Sequence, residues 1–158
     1  METGRGPKLN IAADEPCLRR RRLHRFVFLA AGIYNIAWGT WTAVDPQWLF
    51  RFAEMAPANY PQIFACLGMV IGLYGILYLE VARRPEHGWL IAAVGLTGKI
   101  LGPAGLLIEI TQHSWPPATI AMCITNDFVW WLPFALYLRD AWPIFCRRRD
   151  GHDHAAMK

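Results

Sequence analysis

Residues 98–105, GKILGPAG, decide how the rest of this sequence is interpreted. They place Lys99 and Pro103 in the middle of residues 88–110, an apolar run of the length that crosses a bilayer, since a helix needs about 20 residues to span about 30 Å of hydrocarbon. A charged side chain at the centre of a bilayer costs roughly 3 kcal/mol on insertion scales. The sequence therefore predicts a polar partner for Lys99 on another apolar segment.

Four apolar blocks dominate the 158 residues: 26–44, 62–82, 88–110 and 118–138. They raise the hydrophobic fraction to 54% and the aromatic fraction to 13%, which is more apolar than soluble domains usually are. Each block is close to the length of one membrane crossing. We therefore predict an all-α, polytopic membrane protein in which residues 26–141 form an antiparallel bundle of four transmembrane helices. The alternative is a soluble all-helical protein with unusually apolar helices.

Lysine and arginine alternate along the chain in step with these blocks. Seven precede the first block, one lies between the first and second, two lie between the second and third, none lies between the third and fourth, and five follow the last. Because cytoplasmic loops carry the excess of positive charge, this pattern predicts cytoplasmic termini and a multi-pass protein of the inner, or plasma, membrane. A nucleic-acid surface would not alternate in this way, so we expect no nucleic-acid partner despite the net charge of +4.

Three segments outside the blocks complete the predicted organisation. Residues 1–25 are polar and basic and are predicted to form a disordered N-terminal arm, and residues 142–158 a basic cytoplasmic tail. Residues 45–61 are too apolar for a plain linker and too short to span the bilayer. We expect them to lie at the interface as an amphipathic turn or helix with three side chains in lipid: Trp48, Leu49 and Phe52.

Neither the cysteines nor the histidines indicate a cofactor. The four cysteines form no CxxC pair and no metal-binding spacing. No histidine falls near the middle of a block, so a haem held between two buried histidines is not expected. We expect no metal and no cofactor, and the sequence identifies no catalytic residue.

The partner predicted for Lys99 is Asp127, because the two residues come out at the same depth. Lys99 lies about 16 Å from the cytoplasmic end of its helix, and Asp127 lies about 14 Å from the outer end of the next one, hence also about 16 Å from the cytoplasmic face. The predicted midplane site is completed by residues at similar depth or on the same helix face: Asn126, Asn35, Tyr74 and Trp130.

Glycines mark one face on each of the second and third helices. On the third helix, Gly95, Gly98, Gly102 and Gly105 fall within an arc of about 120°, and the second helix carries a similar set at residues 68–75. Because small residues let helix backbones approach closely, we expect these two faces to pack together. Pro103 also removes the helical hydrogen bond to the carbonyl of Lys99, which would leave that carbonyl available to water or a ligand.

Three stretches resemble small, uncharacterised bacterial four-helix membrane proteins, broadly similar to the DoxX-like group. They are residues 98–103 (GKILGP), 125–134 (TNDFVWWLPF) and 34–38 (YNIAW), and the likeness covers roughly residues 26–141. The resemblance implies a membrane bundle, sometimes as a partner of redox enzymes, and it assigns no catalytic residues.

Three functions remain open from the sequence. The first is a bundle whose midplane site binds a small ligand, a lipid or a proton, since ionisable residues inside a membrane are functional by default. The second is a membrane-embedded enzyme acting on a lipid or isoprenoid, with Trp130 and Trp131 stabilising a cation beside Asp127. The third is an accessory subunit of a membrane redox complex. Besides the bilayer and a lipid or small-molecule ligand, the candidate partners are a second copy of the chain and a membrane partner subunit. The alternative to all three is a purely structural Lys99–Asp127 pair that sets helix register.

Overall fold

The computed structural model describes residues 18–156, with side chains through residue 149. Residues 1–17, which make up most of the predicted N-terminal arm, and residues 157–158 lie outside the described residues. The described part of the chain contains helices and no strand, so the all-α prediction is confirmed.

The helices follow the predicted blocks. In chain order they are α1 (Arg21–Val44), α2 (Trp48–Phe52), α3 (Pro61–Arg83), α4 (Trp89–Thr111), α5 (Ile120–Cys123) and α6 (Val129–Ala156). A 3₁₀ turn precedes α5, and a π-helical turn over Ile124–Phe128 joins α5 to α6.

Four helical segments are long and apolar enough to span a membrane, by length and composition: Arg21–Val44, Pro61–Arg83, Trp89–Thr111 and Pro117–Arg149. They match the four predicted blocks and support the expectation of an all-helical, multi-pass membrane protein. The last segment is assembled from the 3₁₀ turn, α5, the π turn and the first part of α6.

The first and last helices extend beyond the predicted blocks. Helix α1 begins at Arg21, inside the segment predicted as a disordered arm, and α6 continues through the segment predicted as a tail. Packing explains both extensions, because Leu18 and His24 are buried before or within the first turns of α1, and Ile144 is buried well along α6. Tertiary contacts of this kind stabilise helical turns that hydropathy alone does not predict.

Helix α3 packs along α1, and glycines make the close approach possible. A Cβ atom at Gly39 of α1 would lie 2.5 Å from the carbonyl oxygen of Gly68, and one at Gly75 would lie 2.7 Å from the carbonyl oxygen of Gly32. The prediction that the α3 glycines meet those of α4 is therefore wrong, because α3 uses them against α1. Helix α4 packs mainly on α6 and touches α3 at few positions.

An aromatic cluster holds three of the long helices together on one side of the bundle. The ring of Phe28 on α1 lies 4.6 Å from that of Phe134 and 4.7 Å from that of Tyr137, both on α6. The ring of Tyr78 on α3 lies 5.1 Å from that of Phe134. All four side chains are fully buried, and aromatic pairs of this kind contribute about 0.5–1.5 kcal/mol each beyond their buried area.

The end of the bundle that carries the start of α1 is closed by buried polar contacts. His24 Nε2 lies 3.1 Å from Asp140 Oδ2, and Arg20 lies 3.5 Å from the same oxygen. The Tyr137 hydroxyl donates a hydrogen bond of 2.7 Å to the carbonyl of Pro85. Arg20, one of the basic residues that precede the first apolar block, therefore also connects the start of α1 to α6.

The segment between α1 and α3, predicted as an amphipathic turn or helix, contains the short helix α2, but its face differs from the prediction. Phe52 is exposed, whereas Trp48 is half-buried and Leu49 turns towards the interior. Asp45 and Arg51 form an ion pair at the start of this segment, and the hydrogen bond from Arg51 lowers the pKa of the Asp45 carboxyl.

Candidate functional site

A cavity of about 900 Å³ lies between α1 and α3 on one side and α4, α5 and the π-helical turn on the other, and we call it the central cavity. Its walls run along α4 from Val94 to Glu109 and along α3 from Phe64 to Tyr78. These stretches are about 21–23 Å long at 1.5 Å per residue. The central cavity is therefore elongated along the helices, and its volume is at the upper end of the usual range for ligand sites.

The glycines of α4 explain why this space exists. Gly98, Gly102 and Gly105 line the central cavity, and a Cβ atom built at any of them would meet no atom within 4 Å. A row of larger side chains on this face would fill part of the volume. The stripe that the sequence assigns to close helix packing instead borders open space.

Lys99 projects from α4 towards α6 and is only 6% exposed. Its Nζ atom donates a hydrogen bond of 2.5 Å to the backbone carbonyl of Asn126, which belongs to the π-helical turn. A π-helical turn interrupts the regular i→i+4 ladder, so carbonyls within it can accept bonds from side chains. The predicted direct ion pair between Lys99 and Asp127 is not formed, although the two charges lie close enough to attract each other.

Asp127 is also 6% exposed and lines the central cavity beside Lys99. Its carboxylate accepts a hydrogen bond of 3.3 Å from Asn126 Nδ2. That bond fixes the orientation of the Asn126 amide, whose buried Oδ1 has no hydrogen-bond partner among the described residues. The carboxylate and the amide oxygen are thus two acceptors with spare capacity at one end of the cavity.

Asn35 contributes a third acceptor from the facing wall. It lies on α1, is 4% exposed, and lines the central cavity. Its Oδ1 is buried and has no hydrogen-bond partner in the described part of the chain. Leaving such a group unpaired costs about 1–3 kcal/mol. Five of the six predicted site residues therefore line the cavity: Asn35, the half-buried Tyr74, Lys99, Asn126 and Asp127.

Trp130, the sixth predicted site residue, lies outside the lining of the central cavity. Its indole Nε1 donates a 3.0 Å hydrogen bond to the carbonyl of Thr125, which is also in the π-helical turn, and its ring lies 5.8 Å from that of Tyr34 on α1. These contacts direct Trp130 towards the junction of α1 and α6, away from Asp127.

Trp131 holds the backbone group that Pro103 releases. Its Nε1 donates a 3.0 Å hydrogen bond to the carbonyl of Lys99. The prediction that this carbonyl would be available to water or a ligand is therefore wrong, because an indole from α6 occupies it. Both tryptophans donate to backbone carbonyls through the ring edge, whereas a cation would contact the ring face, so the cation-stabilising role in the enzyme hypothesis stays a prediction.

The sequence did not identify the residues that close the two ends of the central cavity. At the end near Lys99, which we call the polar end, the buried Tyr78 packs against Gly95. At the opposite, aromatic end, the rings of Phe64 and Trp115 stack 6.4 Å apart. Tyr78 lies four residues after Tyr74 and hence on the same helix face, which was a usable signal.

Comparisons with protein-family models, curated proteins and solved structures find no match to this chain. The resemblance to the DoxX-like group thus stays a prediction, and the function has to be argued from the site. Within the described residues, no three His, Cys, Asp or Glu side chains are grouped so as to hold a metal ion. The central cavity offers one ammonium donor and several acceptors at its polar end, which is a set suited to binding a polar group through hydrogen bonds.

Proposed function

We propose that the protein is a small membrane-embedded binding protein whose central cavity holds a small ligand. The polar group of the ligand would lie among Lys99, Asp127, Asn126 and Asn35. The observation that carries the proposal is Asn35, whose side chain lines the cavity and whose buried amide oxygen has no hydrogen-bond partner among the described residues. Buried polar groups are almost always hydrogen-bonded, so an exception on a cavity wall points to a missing donor.

The two ionisable residues strengthen the proposal. Charged groups inside a membrane are costly and usually mark a functional site. A pair that served only to fix helix register would be expected to form a direct contact, because mutual attraction is what offsets the loss of hydration. Lys99 and Asp127 instead meet different partners and both line the central cavity.

The membrane arrangement is part of the same proposal. We place the protein in the bacterial inner membrane as an antiparallel four-helix bundle, broadly DoxX-like, with both termini in the cytoplasm. The support is the alternation of lysine and arginine between the four apolar segments. The enzyme, proton-transfer and accessory-subunit hypotheses stay predictions, since no contact in the site favours one of them.

Purification with native lipid tests the proposal. Native mass spectrometry of the gently solubilised protein should reveal a bound molecule that the Asn35→Leu variant loses. The matched control is Thr40→Leu, a polar-to-apolar change at an exposed position on the same helix, which should keep the molecule. Identical bound species in the parent and Asn35→Leu would show that the polar end holds no ligand.

A further inference from the structure

The polar end of the central cavity has more acceptors than donors. Asn35 Oδ1 and Asn126 Oδ1 are buried without partners among the described residues, and the Asp127 carboxylate accepts from the Asn126 amide and has the Cys123 thiol beside it as a second donor. The Lys99 ammonium uses one of its three N–H groups on a backbone carbonyl. A molecule that donates hydrogen bonds pairs the unpaired amide oxygens, and an alcohol oxygen can at the same time accept a bond from Lys99.

The rest of the central cavity is long and apolar. From Lys99 to Glu109 the wall of α4 extends about 15 Å at 1.5 Å per residue. Between these two residues it is formed by leucine and glycine, and the facing wall of α3 is also apolar at residues 64–71. The polar lining residues away from the polar end are the exposed Glu109 and the buried Thr119, whose hydroxyl already donates to the carbonyl of Pro116. The space between the two ends fits a hydrocarbon chain because apolar surface is stabilised by apolar contact.

The central cavity opens sideways between α3 and α4. Four of its lining residues are at the same time between 47% and 63% exposed: Leu67, Val70, Val94 and Leu101. They come from both helices, and the α4 glycines beside them leave the gap free of side chains. In a bilayer this opening faces hydrocarbon, which is where an apolar chain would be dissolved.

From these three observations we infer that the ligand is a long-chain amphiphile with a hydrogen-bond-donating end, an alcohol or an amine, which enters between α3 and α4. The inference rests on the proposed function and adds the ligand class and the route of entry. The donor group binds Asp127, Asn126 and Asn35 at the polar end. The hydrocarbon chain lies along the α4 glycines towards Phe64 and Trp115 at the aromatic end.

An anionic head group does not fit this set. A carboxylate or phosphate at the polar end would lie beside the Asp127 carboxylate and two amide oxygens, in surroundings where like charges repel strongly. Lys99 would attract it, since the bond to the Asn126 carbonyl leaves the charge and two N–H groups of the ammonium available, but the Asp127 carboxylate and the two amide oxygens would still repel it. A donor end satisfies the unpaired acceptors, whereas an anion would leave all of them unpaired.

Three probes of equal chain length test the head group: hexadecanol, hexadecylamine and hexadecanoate. Each is added to the delipidated, solubilised full chain, and binding is measured by native mass spectrometry. The alcohol or the amine should bind at least about tenfold more tightly than the carboxylate, which corresponds to one hydrogen bond to a charged group. Asp127→Leu should remove that preference.

Two glycine variants test the route. Gly102→Leu places a side chain in the opening and should weaken binding of the preferred probe by about tenfold or more. The matched control is Gly72→Leu, since Gly72 also has open space around its Cβ position but does not line the central cavity. The control should bind the probe like the parent.

Several results would overturn the inference. A donor-ended chain would be excluded if hexadecanoate bound most tightly. It would also be excluded if no probe bound while a molecule still copurified with the parent. Either result would leave the proposed function standing. Parent-like binding by Gly102→Leu would exclude entry between α3 and α4. A dimer without bound probe, broken by Gly102→Leu, would show that a second copy covers the opening. The proposed function itself would be contradicted by a different result, namely that the molecule that copurifies with the parent copurifies equally with Asn35→Leu.

Discussion

Asn35 is buried in surroundings that do not satisfy its chemistry. Its side chain lines the central cavity, and its buried amide oxygen has no partner among the described residues. Sites that are kept for binding often reduce stability, because the groups that recognise a ligand are unpaired without it. The unpaired amide of Asn35 therefore lowers the stability of the ligand-free protein and, in our proposal, serves to bind the ligand.

The empty protein should become more stable when Asn35 is replaced by leucine. Asn35→Leu removes an unpaired buried acceptor with little change in volume, so we expect the free energy of unfolding of the delipidated protein to rise by about 1 kcal/mol. Denaturant unfolding in detergent measures the change, with Thr40→Leu as the control. A clear loss of stability would mean that the amide has a structural role.

Lys99 and Asp127 should be coupled only weakly. Lys99→Met leaves the Asn126 carbonyl unpaired and should destabilise the fold by about 1–3 kcal/mol. Because the lysine bonds a carbonyl and not the carboxylate, a double-mutant cycle with Asp127→Leu should give a coupling energy of about 1 kcal/mol or less. A coupling of about 3–5 kcal/mol, as expected when a directly paired buried charge loses its partner, would indicate a direct ion pair in solution.

At the level of helices, the same residue type plays two opposite roles. The glycines of α1 and α3 meet backbone to backbone, whereas three glycines of α4 border empty space. The π-helical turn has a comparable effect on α6, since its carbonyls accept bonds from Lys99 and Trp130. These features together determine the width of the central cavity and the position of its polar end.

An alanine pair distinguishes the two kinds of glycine. Gly39→Ala should destabilise the fold by about 1–3 kcal/mol, because its Cβ would lie 2.5 Å from the carbonyl oxygen of Gly68. Gly102→Ala should be neutral or stabilising, since the space is open and alanine favours helix by about 1 kcal/mol over glycine. Thermal unfolding of both variants in one detergent makes the comparison. Equal effects would show that the α4 face is packed.

At the level of the whole molecule, the arginine-rich end and the aromatic end of the bundle differ in chemistry. The buried side chains of His24 and Asp140 and the exposed Arg20 form a polar cluster at the first. Phe50, Phe64 and Trp115 pack together at the second, with ring centroids 4.7–6.4 Å apart. The distribution of positive charge assigns the arginine-rich end to the cytoplasm in our proposal.

Thiol labelling tests that orientation. Ser114 is exposed and lies beyond α4, at the end opposite to Arg83, so it should face outwards. Ser114→Cys, in a variant without the native cysteines, should react with an impermeant thiol reagent in intact cells, and Arg83→Cys should react only after the cells are broken. Labelling of Arg83→Cys alone in intact cells would reverse the topology.

The sequence by itself determined the four apolar helices and the common depth of Lys99 and Asp127, because length, hydropathy and rise per residue are local properties. It could not determine which helix faces meet, since a glycine stripe is equally compatible with close packing and with open space. Only the tertiary structure decided that α3 packs on α1, that Lys99 bonds the Asn126 carbonyl, and that Trp131 takes the carbonyl released by Pro103. Those outcomes depend on a π-helical turn and on contacts between distant segments, and neither leaves a periodic signal in the sequence.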